Sequence, residues 1–132
     1  MATEIPRFAG DLMTREVVTL QPDQTIDHLD EAMRLLRFRH FPVVDGDRVV
    51  GVVSQRDIYR STLAGPATVG ALMSREVVTV PPEMPLLEAG KILLERKLGC
   101  LLVVDGAKKL LGILTEADFT KLALELLKAR AA

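Results

Sequence analysis

Apolar and polar positions follow the same order twice along this chain. Each half has a short apolar run followed by a helical pattern. In the first half, this pattern spaces the apolar residues Ile26, Leu29, Met33 and Leu36 three or four positions apart. Two further apolar runs then flank an Asp-Gly pair, which is a strong signal for a β-hairpin. The pattern predicts short helical turns near residues 12–13 and 72–73, strands at 17–20, 41–44, 49–53, 77–80, 101–104 and 110–114, and helices near 26–36 and 86–97, after Ser54 and after Thr115.

The two halves are copies of one sequence unit. Residues 12–19 read LMTREVVT, and residues 72–79 read LMSREVVT. After a VVDG string that both halves share, GVVSQRD at residues 51–57 corresponds to GILTEAD at residues 112–118. The duplication divides the chain into an N-terminal extension at residues 1–8, a first copy at 9–64, a second copy at 65–125 and a C-terminal tail at 126–132.

The order strand–helix–strand–strand–helix within each copy predicts an α+β fold. A unit of about sixty residues is only marginally stable by itself, so we expect the two β-α-β-β-α repeats to pack against each other. Two copies are too few for a solenoid, and the expected arrangement is a closed pair with a pseudo-two-fold axis.

Composition and charge exclude several classes of function. The chain has 132 residues, of which 48% are hydrophobic and 27% charged, as in globular proteins. Its formal net charge is -1 and it has no tryptophan, whereas nucleic-acid binders usually carry a basic surplus and aromatic stacking residues. No apolar stretch is long enough to span a bilayer, and the N-terminus does not resemble a secretory signal, so we expect a soluble cytoplasmic protein.

No motif for catalysis or metal binding occurs in the sequence. P-loop, GxGxxG, HExxH and GxSxG strings are absent, and one cysteine with two histidines excludes a Cys/His zinc site. Cys100 follows an apolar helix and precedes an apolar strand, which favours a buried small hydrophobic residue over a nucleophile. Met13 and Met73 occupy the same position in each copy, which indicates packing. We expect no enzymatic activity, no metal and no cofactor.

Each copy contains the string G-x-x-[ST]-x-x-D, which has two interpretations. In the structural one, Ser54 and Thr115 are helix N-caps, and Asp57 and Asp118 complete capping boxes. In the functional one, the hydroxyl and the free N–H groups at the helix N-terminus meet a phosphate, and the carboxylate accepts hydrogen bonds from a ribose diol. The two interpretations are compatible.

A cationic cluster, Arg37-Phe38-Arg39-His40, precedes the first hairpin. It is either a solvated helix end, where cations offset the helix dipole, or a phosphate clamp with arginine as a fork-shaped donor and His40 as a pH-sensitive one. The second copy has Leu98-Gly99-Cys100 at these positions and therefore offers no clamp. Because Arg56 in the first copy has Ala117 as its counterpart, the two copies would bind phosphate with different cations.

The starts LMTREVVT and LMSREVVT, the string FPVVDGDRVVGVVSQRDI and its counterpart LLVVDGAKKLLGILTEADF together resemble a tandem pair of CBS domains, the cystathionine β-synthase motif. Such a pair is also called a Bateman module, and the resemblance covers about residues 9–125. It implies two clefts that bind an adenosine-containing ligand as a regulatory sensor, most often AMP, ADP or ATP and less often S-adenosylmethionine or NAD. It also implies a homodimer, formed through the helices after Ser54 and Thr115. We expect such a sensor to act on an unidentified protein in trans or on its own oligomer.

The resemblance also implies which residues line the two clefts. Each cleft combines the Ser/Thr and Asp of one copy with the first strand and the pre-Pro segment of the other. The carboxylates would accept hydrogen bonds from ribose, the hydroxyls and cations would meet phosphate, and the first strands would hold adenine. The first cleft would contain Ser54, Arg56, Asp57, Val77, Val78, Leu98, Gly99 and Cys100, and the second would contain Val17, Val18, Arg39, His40, Thr115 and Asp118.

The second copy departs from the family's pattern at two positions. Leu102 stands where the first copy has Pro42, and Ala117 stands where a basic residue often contacts the ligand. Occupancy of both clefts therefore does not follow from the resemblance. The alternative function is a ligand-free dimerisation scaffold, in which the Ser/Thr–Asp strings only cap helices.

Overall fold

A computed structural model of the protein describes residues 5–25, 39–64 and 68–131. The helix predicted near residues 26–36, and Arg37 and Phe38 of the cationic cluster, lie outside the described residues. The described elements are α1 (Ala9–Leu12), β1 (His40–Asp45), β2 (Arg48–Ser54), α2 (Gln55–Ala64), α3 (Val69–Leu72), β3 (Thr79–Val80), α4 (Leu86–Glu95), β4 (Cys100–Val104), β5 (Leu110–Thr115) and α5 (Glu116–Ala131).

The mixture of helices and strands confirms the α+β prediction, and both hairpins occur where the Asp-Gly pairs predict them. β1 pairs with β2 in antiparallel fashion, and β4 is hydrogen-bonded to β5. In both copies the second hairpin strand ends on the hydroxyl residue of the repeated string, Ser54 or Thr115, and a helix begins at the next residue. These elements follow local turn and capping signals, which a sequence displays directly.

The first strand of each copy is shorter than predicted. In the first copy Leu20 alone is paired, through an isolated parallel bridge to Val43. In the second copy β3 contains only two residues, which pair in parallel with β4. The predicted positions that are not paired, 17–19 and 77–78, precede the paired residues. Pro22 and Pro81 account only for the other end of each strand, because proline has no N–H to donate.

The chain forms two compact units, each built mainly from one repeat. The first-repeat unit comprises residues 17–25, 39–64, 68–77 and 107–110, and the second-repeat unit comprises residues 5–16, 78–106 and 111–131. The short helical turn at the start of each copy therefore belongs to the unit of the other copy. α1 lies in the second-repeat unit, and α3 lies in the first-repeat unit.

The first-repeat unit packs α2 and α3 against the β1–β2 hairpin. The segment that follows α3 is tied to β2 by two backbone hydrogen bonds between Ser74 and Val52, of 3.0 and 2.9 Å. The buried core of this unit consists of Leu20, Phe41, Val43, Val53, Ile58 and Val69.

The second-repeat unit contains the three-stranded sheet β3-β4-β5 with α1, α4 and α5. Thr14, which follows α1, is tied to Ile113 of β5 by two backbone hydrogen bonds of 2.8 and 2.9 Å. The same attachment therefore occurs in both units. The buried core of this unit consists of Ala9, Val80, Leu86, Ala89, Leu93, Leu101, Val103 and Leu114.

Close packing explains the repeated glycine and methionine. A Cβ atom placed on Gly112 would lie 2.7 Å from the sulfur of Met13 and 2.8 Å from the carbonyl oxygen of Thr14. A Cβ atom placed on Gly51 would lie 2.5 Å from the sulfur of Met73 and 2.9 Å from the carbonyl oxygen of Ser74. Real Cβ atoms do not approach other atoms so closely, so both positions need glycine. The methionines pack against the strands, as the sequence predicts.

Candidate functional site

α2 begins at a hydrogen-bonded pair of polar side chains, Ser54 and Asp57. Ser54 donates its backbone N–H and its hydroxyl to Asp57 Oδ2, each at 2.9 Å, and Asp57 donates its N–H to Ser54 Oγ at 3.2 Å. These bonds form the capping box that the sequence predicts. Asp57 is half-buried, and its Oδ1 accepts no hydrogen bond from the described residues. Among the described residues, this oxygen therefore keeps its capacity to accept a hydrogen bond.

α5 begins at the corresponding pair, Thr115 and Asp118, but here a third residue takes part. Thr115 donates its N–H to Asp118 Oδ2 at 2.9 Å and its hydroxyl to the same oxygen at 3.4 Å. Thr14 donates its hydroxyl to the other oxygen, Oδ1, at 2.9 Å. Asp118 is only 8% exposed. Both oxygens of this carboxylate are therefore hydrogen-bonded within the unit.

Ser74 is the counterpart of Thr14 in the repeat, and its side chain has a different role. Its hydroxyl oxygen accepts the N–H of Glu76 at 3.3 Å. Within the part of the chain that the structure describes, Asp57 has no partner equivalent to Thr14. The sequence analysis did not identify Thr14 as a site residue. The available signal was a hydroxyl residue after the Leu-Met pair of both copies, threonine in one and serine in the other.

The first-repeat unit brings His40 close to the start of α2. His40 pairs with Ser54 across β1 and β2, and Gln55 donates its N–H to the carbonyl of Arg39 at 2.9 Å. Burial and the charge of Arg39 lower the pKa of His40 from its usual 6.5, although Asp57 acts in the opposite direction. The imidazole is therefore neutral at pH 7, where it offers one N–H donor rather than a cation.

The pairing of His40 with Ser54 is not one that the sequence predicts. The assignment of Arg39 and His40 to a cleft with Thr115 and Asp118 stays a prediction, because these residues belong to different units. A register shift opposite Val43 and Val44, where Val50 of β2 is left out of the ladder, produces the pairing of His40 with Ser54. Such an irregularity depends on the ladder as a whole and has no local signal in the sequence.

Asp118 also lines a groove of the second-repeat unit, where the N-terminal segment faces α5. The groove has a volume of about 650 Å³, and its lining includes the cations Arg7, Arg15 and Lys121 and, besides Asp118, the carboxylates Asp11 and Glu125. The three cationic side chains are exposed. A cavity of this size falls in the range of small-molecule sites. The sequence gives no signal for this grouping, because Lys121 lies far along the chain from Arg7 and Arg15.

The remaining predicted cleft residues occupy half-buried or exposed positions in both units. Because each predicted cleft takes residues from both units, its assembly stays a prediction. In the first-repeat unit Val17, Val18 and Val77 are half-buried and Arg56 is exposed, and in the second-repeat unit Val78, Leu98 and Cys100 are half-buried and Gly99 is exposed.

Cys100 is a free, half-buried cysteine at the start of β4. Burial raises the pKa of its thiol from 9.0 to about 11. Only the thiolate is a nucleophile, so the environment of Cys100 suppresses reactivity rather than promoting it. This agrees with its interpretation as a small packing residue.

We expect iodoacetamide to alkylate Cys100 about a hundredfold more slowly in the native protein than in the guanidinium-unfolded chain at pH 8. A thiol pKa of about 11 instead of 9.0 lowers the fraction of thiolate at pH 8 about a hundredfold. Mass spectrometry of quenched time points gives both rates, and free cysteine in each buffer controls for the effect of guanidinium on the reagent. A native rate within tenfold of the unfolded rate would show that the thiolate is available.

The described residues contain neither a metal-binding cluster nor a membrane-spanning helix. No group of three or more His, Cys, Asp and Glu side chains among them is arranged to hold a metal ion. No helix in the same part of the chain has both the length and the apolar character that crossing a membrane requires.

Comparison with known sequences points to one family. The profile of the CBS domain matches residues 9–63 and again residues 69–125. An inosine-5'-monophosphate dehydrogenase of Korarchaeum cryptofilum is 35% identical over 121 residues, which cover 89% of this chain and 24% of that protein. The chain spans less than half of the length of the curated relatives that it matches.

Solved structures similar to this chain extend over almost all of it. A Vibrio cholerae protein named for acetoin utilization (AcuB) gives a TM-score of 0.87 at 30% identity and covers 98% of this chain and 100% of its own. CBSX2, solved in complex with AMP, gives a TM-score of 0.82 at 30% identity, with coverage of 92% and 98%.

Proposed function

The chain belongs to the CBS domain family, and from this we propose that it is a regulatory module that binds AMP, ADP or ATP without catalysing a reaction. One observation carries the proposal. Each unit places a carboxylate beside a hydroxyl residue at the N-terminus of a helix, at Asp57 and Ser54 in one unit and at Asp118 and Thr115 in the other. The AMP complex of a structural neighbour supports an adenosine-containing ligand.

The proposed role of the two carboxylates is to accept hydrogen bonds from the ribose. A ribose presents two adjacent hydroxyl donors, and an ionised carboxylate has two acceptor oxygens at a matching spacing. Hydrogen bonds to a charged acceptor contribute more than neutral ones, about 1.5–3 kcal/mol each. Asp57 is half-buried and Asp118 lines a groove, so both proposed acceptors border space outside the core.

Groups near each carboxylate are suited to the phosphates. The neutral imidazole of His40, together with Arg39, lies near the start of α2. Arg7, Arg15 and Lys121 line the groove that Asp118 borders, and they are the groups there that could meet phosphate, beside the carboxylates Asp11 and Glu125. Free N–H groups at a helix N-terminus also favour an anion. We further propose that backbone groups of the first strands, at residues 17–18 and 77–78, bind the adenine edge.

Thermal unfolding with and without ligand tests the proposal. A ligand that binds only the folded state stabilises it by about 2.7 kcal/mol at a hundredfold excess over Kd. We expect AMP, ADP or ATP to raise Tm, and S-adenosylmethionine or NAD to raise it less. The matched control is 2′,3′-dideoxy-ATP, which lacks the ribose diol and is expected to give a much smaller shift. The proposal fails if none of these compounds raises Tm at millimolar concentration.

The Asp57→Asn and Asp118→Asn variants locate the binding. Asparagine keeps a side-chain oxygen for the helix cap but loses the negative charge that the diol needs. Each substitution is expected to weaken ligand binding at its own carboxylate only, which isothermal titration calorimetry measures as a loss of one class of sites. Equal binding in both variants and the wild type would contradict the assignment of these residues.

A ligand-free dimerisation scaffold is the second candidate. Two observations favour it: the carboxylates already serve as helix caps, and α5 exposes Leu124, Leu126 and Leu127 to solvent. The scaffold predicts a homodimer in sedimentation velocity, no ligand response, and a stability change of about 1 kcal/mol in the Asp-to-Asn variants. A homodimer that also responds to ligand favours the regulatory module, which would act on a partner protein in trans.

A further inference from the structure

The two proposed ribose acceptors are not equivalent, although they come from the same repeated string. At each of them Oδ2 accepts hydrogen bonds from the cap residue of its own helix, Ser54 or Thr115. The difference lies at Oδ1. In Asp118 this oxygen accepts the hydroxyl of Thr14 at 2.9 Å, whereas in Asp57 it accepts no hydrogen bond from residues 5–25, 39–64 and 68–131.

The position of Thr14 makes its hydrogen bond a stable part of the unit. Two backbone hydrogen bonds to Ile113 hold Thr14 beside β5, so the hydroxyl leaves Asp118 only by a rotation about χ1. Threonine is branched at Cβ and has few favourable χ1 rotamers. Ser74 has the same backbone attachment, yet its hydroxyl oxygen accepts the N–H of Glu76 instead. The backbone attachment to the strand is thus the same in both units, but the chain bends after Ser74, where Val77 donates its N–H to the carbonyl of Arg75 at 3.1 Å. The hydroxyls of Thr14 and Ser74 therefore have different partners.

We infer that Thr14 is an internal competitor for the ribose and makes the Asp118 site the weaker of the two. A diol that binds Asp118 bidentately needs Oδ1, and it must displace the Thr14 hydroxyl or share the oxygen with it. At Asp57 no described residue presents this obstacle. The inference rests on the proposed function and adds to it the residue that sets the order in which the two sites fill.

Calorimetry with ATP on a set of matched variants tests this inference. Asp57→Asn serves as the background that reports the Asp118 site, and Asp118→Asn as the background that reports the Asp57 site. Thr14→Val, which replaces the hydroxyl by a methyl group of similar size, is added to the first background, and Ser74→Ala is added to the second as the matched control. Thr14→Ser in the first background keeps the hydroxyl. Thermal unfolding of every variant without ligand confirms that each is folded at the temperature of the titration.

Thr14→Val is expected to lower the Kd at the Asp118 site about tenfold. The diol then no longer has to replace the hydrogen bond from Thr14 to a charged acceptor, and the free energy of such a bond corresponds to at least a tenfold change in Kd. The Kd of Thr14→Ser for ATP is expected to stay within about threefold of the Kd of its background. The Kd of Ser74→Ala is expected to stay within about twofold of that of its own background. An unchanged or higher Kd in Thr14→Val, in a protein that still binds ATP, would overturn the inference and leave the proposed function standing. Absence of ATP binding in the wild type and in every variant would overturn both.

A single measurement on the wild type gives an independent check. If Thr14 competes at one carboxylate only, the titration is expected to resolve two unequal classes of sites, and Thr14→Val alone brings their Kd values closer together. Two sites of equal affinity in the wild type would contradict the inference. If the wild type binds one ATP and Thr14→Val binds two, the competition is complete and the inference holds.

Discussion

The Gly112→Ala variant is expected to have a free energy of unfolding about 3 kcal/mol below that of the wild type, the upper end of what overpacking costs. The added Cβ would lie 2.7 Å from the sulfur of Met13 and 2.8 Å from the carbonyl oxygen of Thr14. The sulfur lies on a flexible side chain, but the carbonyl belongs to a backbone segment that is hydrogen-bonded to β5. The strand and the segment must therefore separate to admit the methyl group. Urea unfolding followed by far-UV circular dichroism measures the change.

Gly106→Ala is the matched control, because a Cβ at Gly106 meets no atom within 4 Å. We expect its stability to stay within about 0.5 kcal/mol of the wild type. Gly51→Ala, in the equivalent position of the first-repeat unit, is expected to behave like Gly112→Ala. A loss below about 1 kcal/mol in Gly112→Ala would mean that the segment after α1 is not held against β5 as the structure indicates.

The free energy of unfolding is expected to fall by about 3 kcal/mol in the Asp118→Ala variant and by about 1 kcal/mol in Asp57→Ala. Asp118 is nearly buried and is hydrogen-bonded to both Thr14 and Thr115, so its removal leaves a backbone N–H and two hydroxyls without their charged acceptor. Asp57 is more exposed, and water can replace the carboxylate at Ser54. Chemical denaturation of the two variants in parallel gives the difference.

A double-mutant cycle separates the contribution of Thr14 from that of the helix cap. The cycle combines Thr14→Val with Asp118→Ala, and the coupling energy is expected to be about 1 kcal/mol or more, since these residues share one hydrogen bond. The same cycle with Ser74→Ala and Asp57→Ala is expected to give a coupling energy near zero. If Asp57→Ala destabilises the protein as much as Asp118→Ala, the different burial of the two carboxylates has no energetic consequence, and the explanation is wrong.

Most of the local structure was predictable from the sequence. The Asp-Gly pairs located both hairpins, and the hydroxyl residues of the repeated string located the starts of α2 and α5. The first strands and the end of α4 were predicted less well. α4 ends at Glu95 and not near Lys97, which adopts a left-handed φ of 51° and so cannot continue the helix. Boundaries of this kind depend on packing and on single residues, and periodicity alone does not resolve them.

The candidate site was predictable only in part. The sequence identified Ser54, Asp57, Thr115 and Asp118 as possible caps and possible ligand contacts, and their capping bonds agree with the first interpretation. It did not indicate which carboxylate is more enclosed. It also did not place His40 opposite Ser54, because that pairing follows from a register shift in the hairpin.

The sequence by itself determined the duplication, the family, the α+β elements and the chemistry of the repeated string, because these follow from short local patterns of residue types and from the recurrence of those patterns in the second copy. Only the tertiary structure decided that Thr14 bonds to Asp118 across 104 positions of the chain, that Gly112 must leave space for Met13, and that cations from both ends of the chain share one groove. The physical reason is that such contacts form only when distant segments fold onto one sheet. Two copies with nearly the same local sequence can then differ in which hydroxyl reaches the carboxylate.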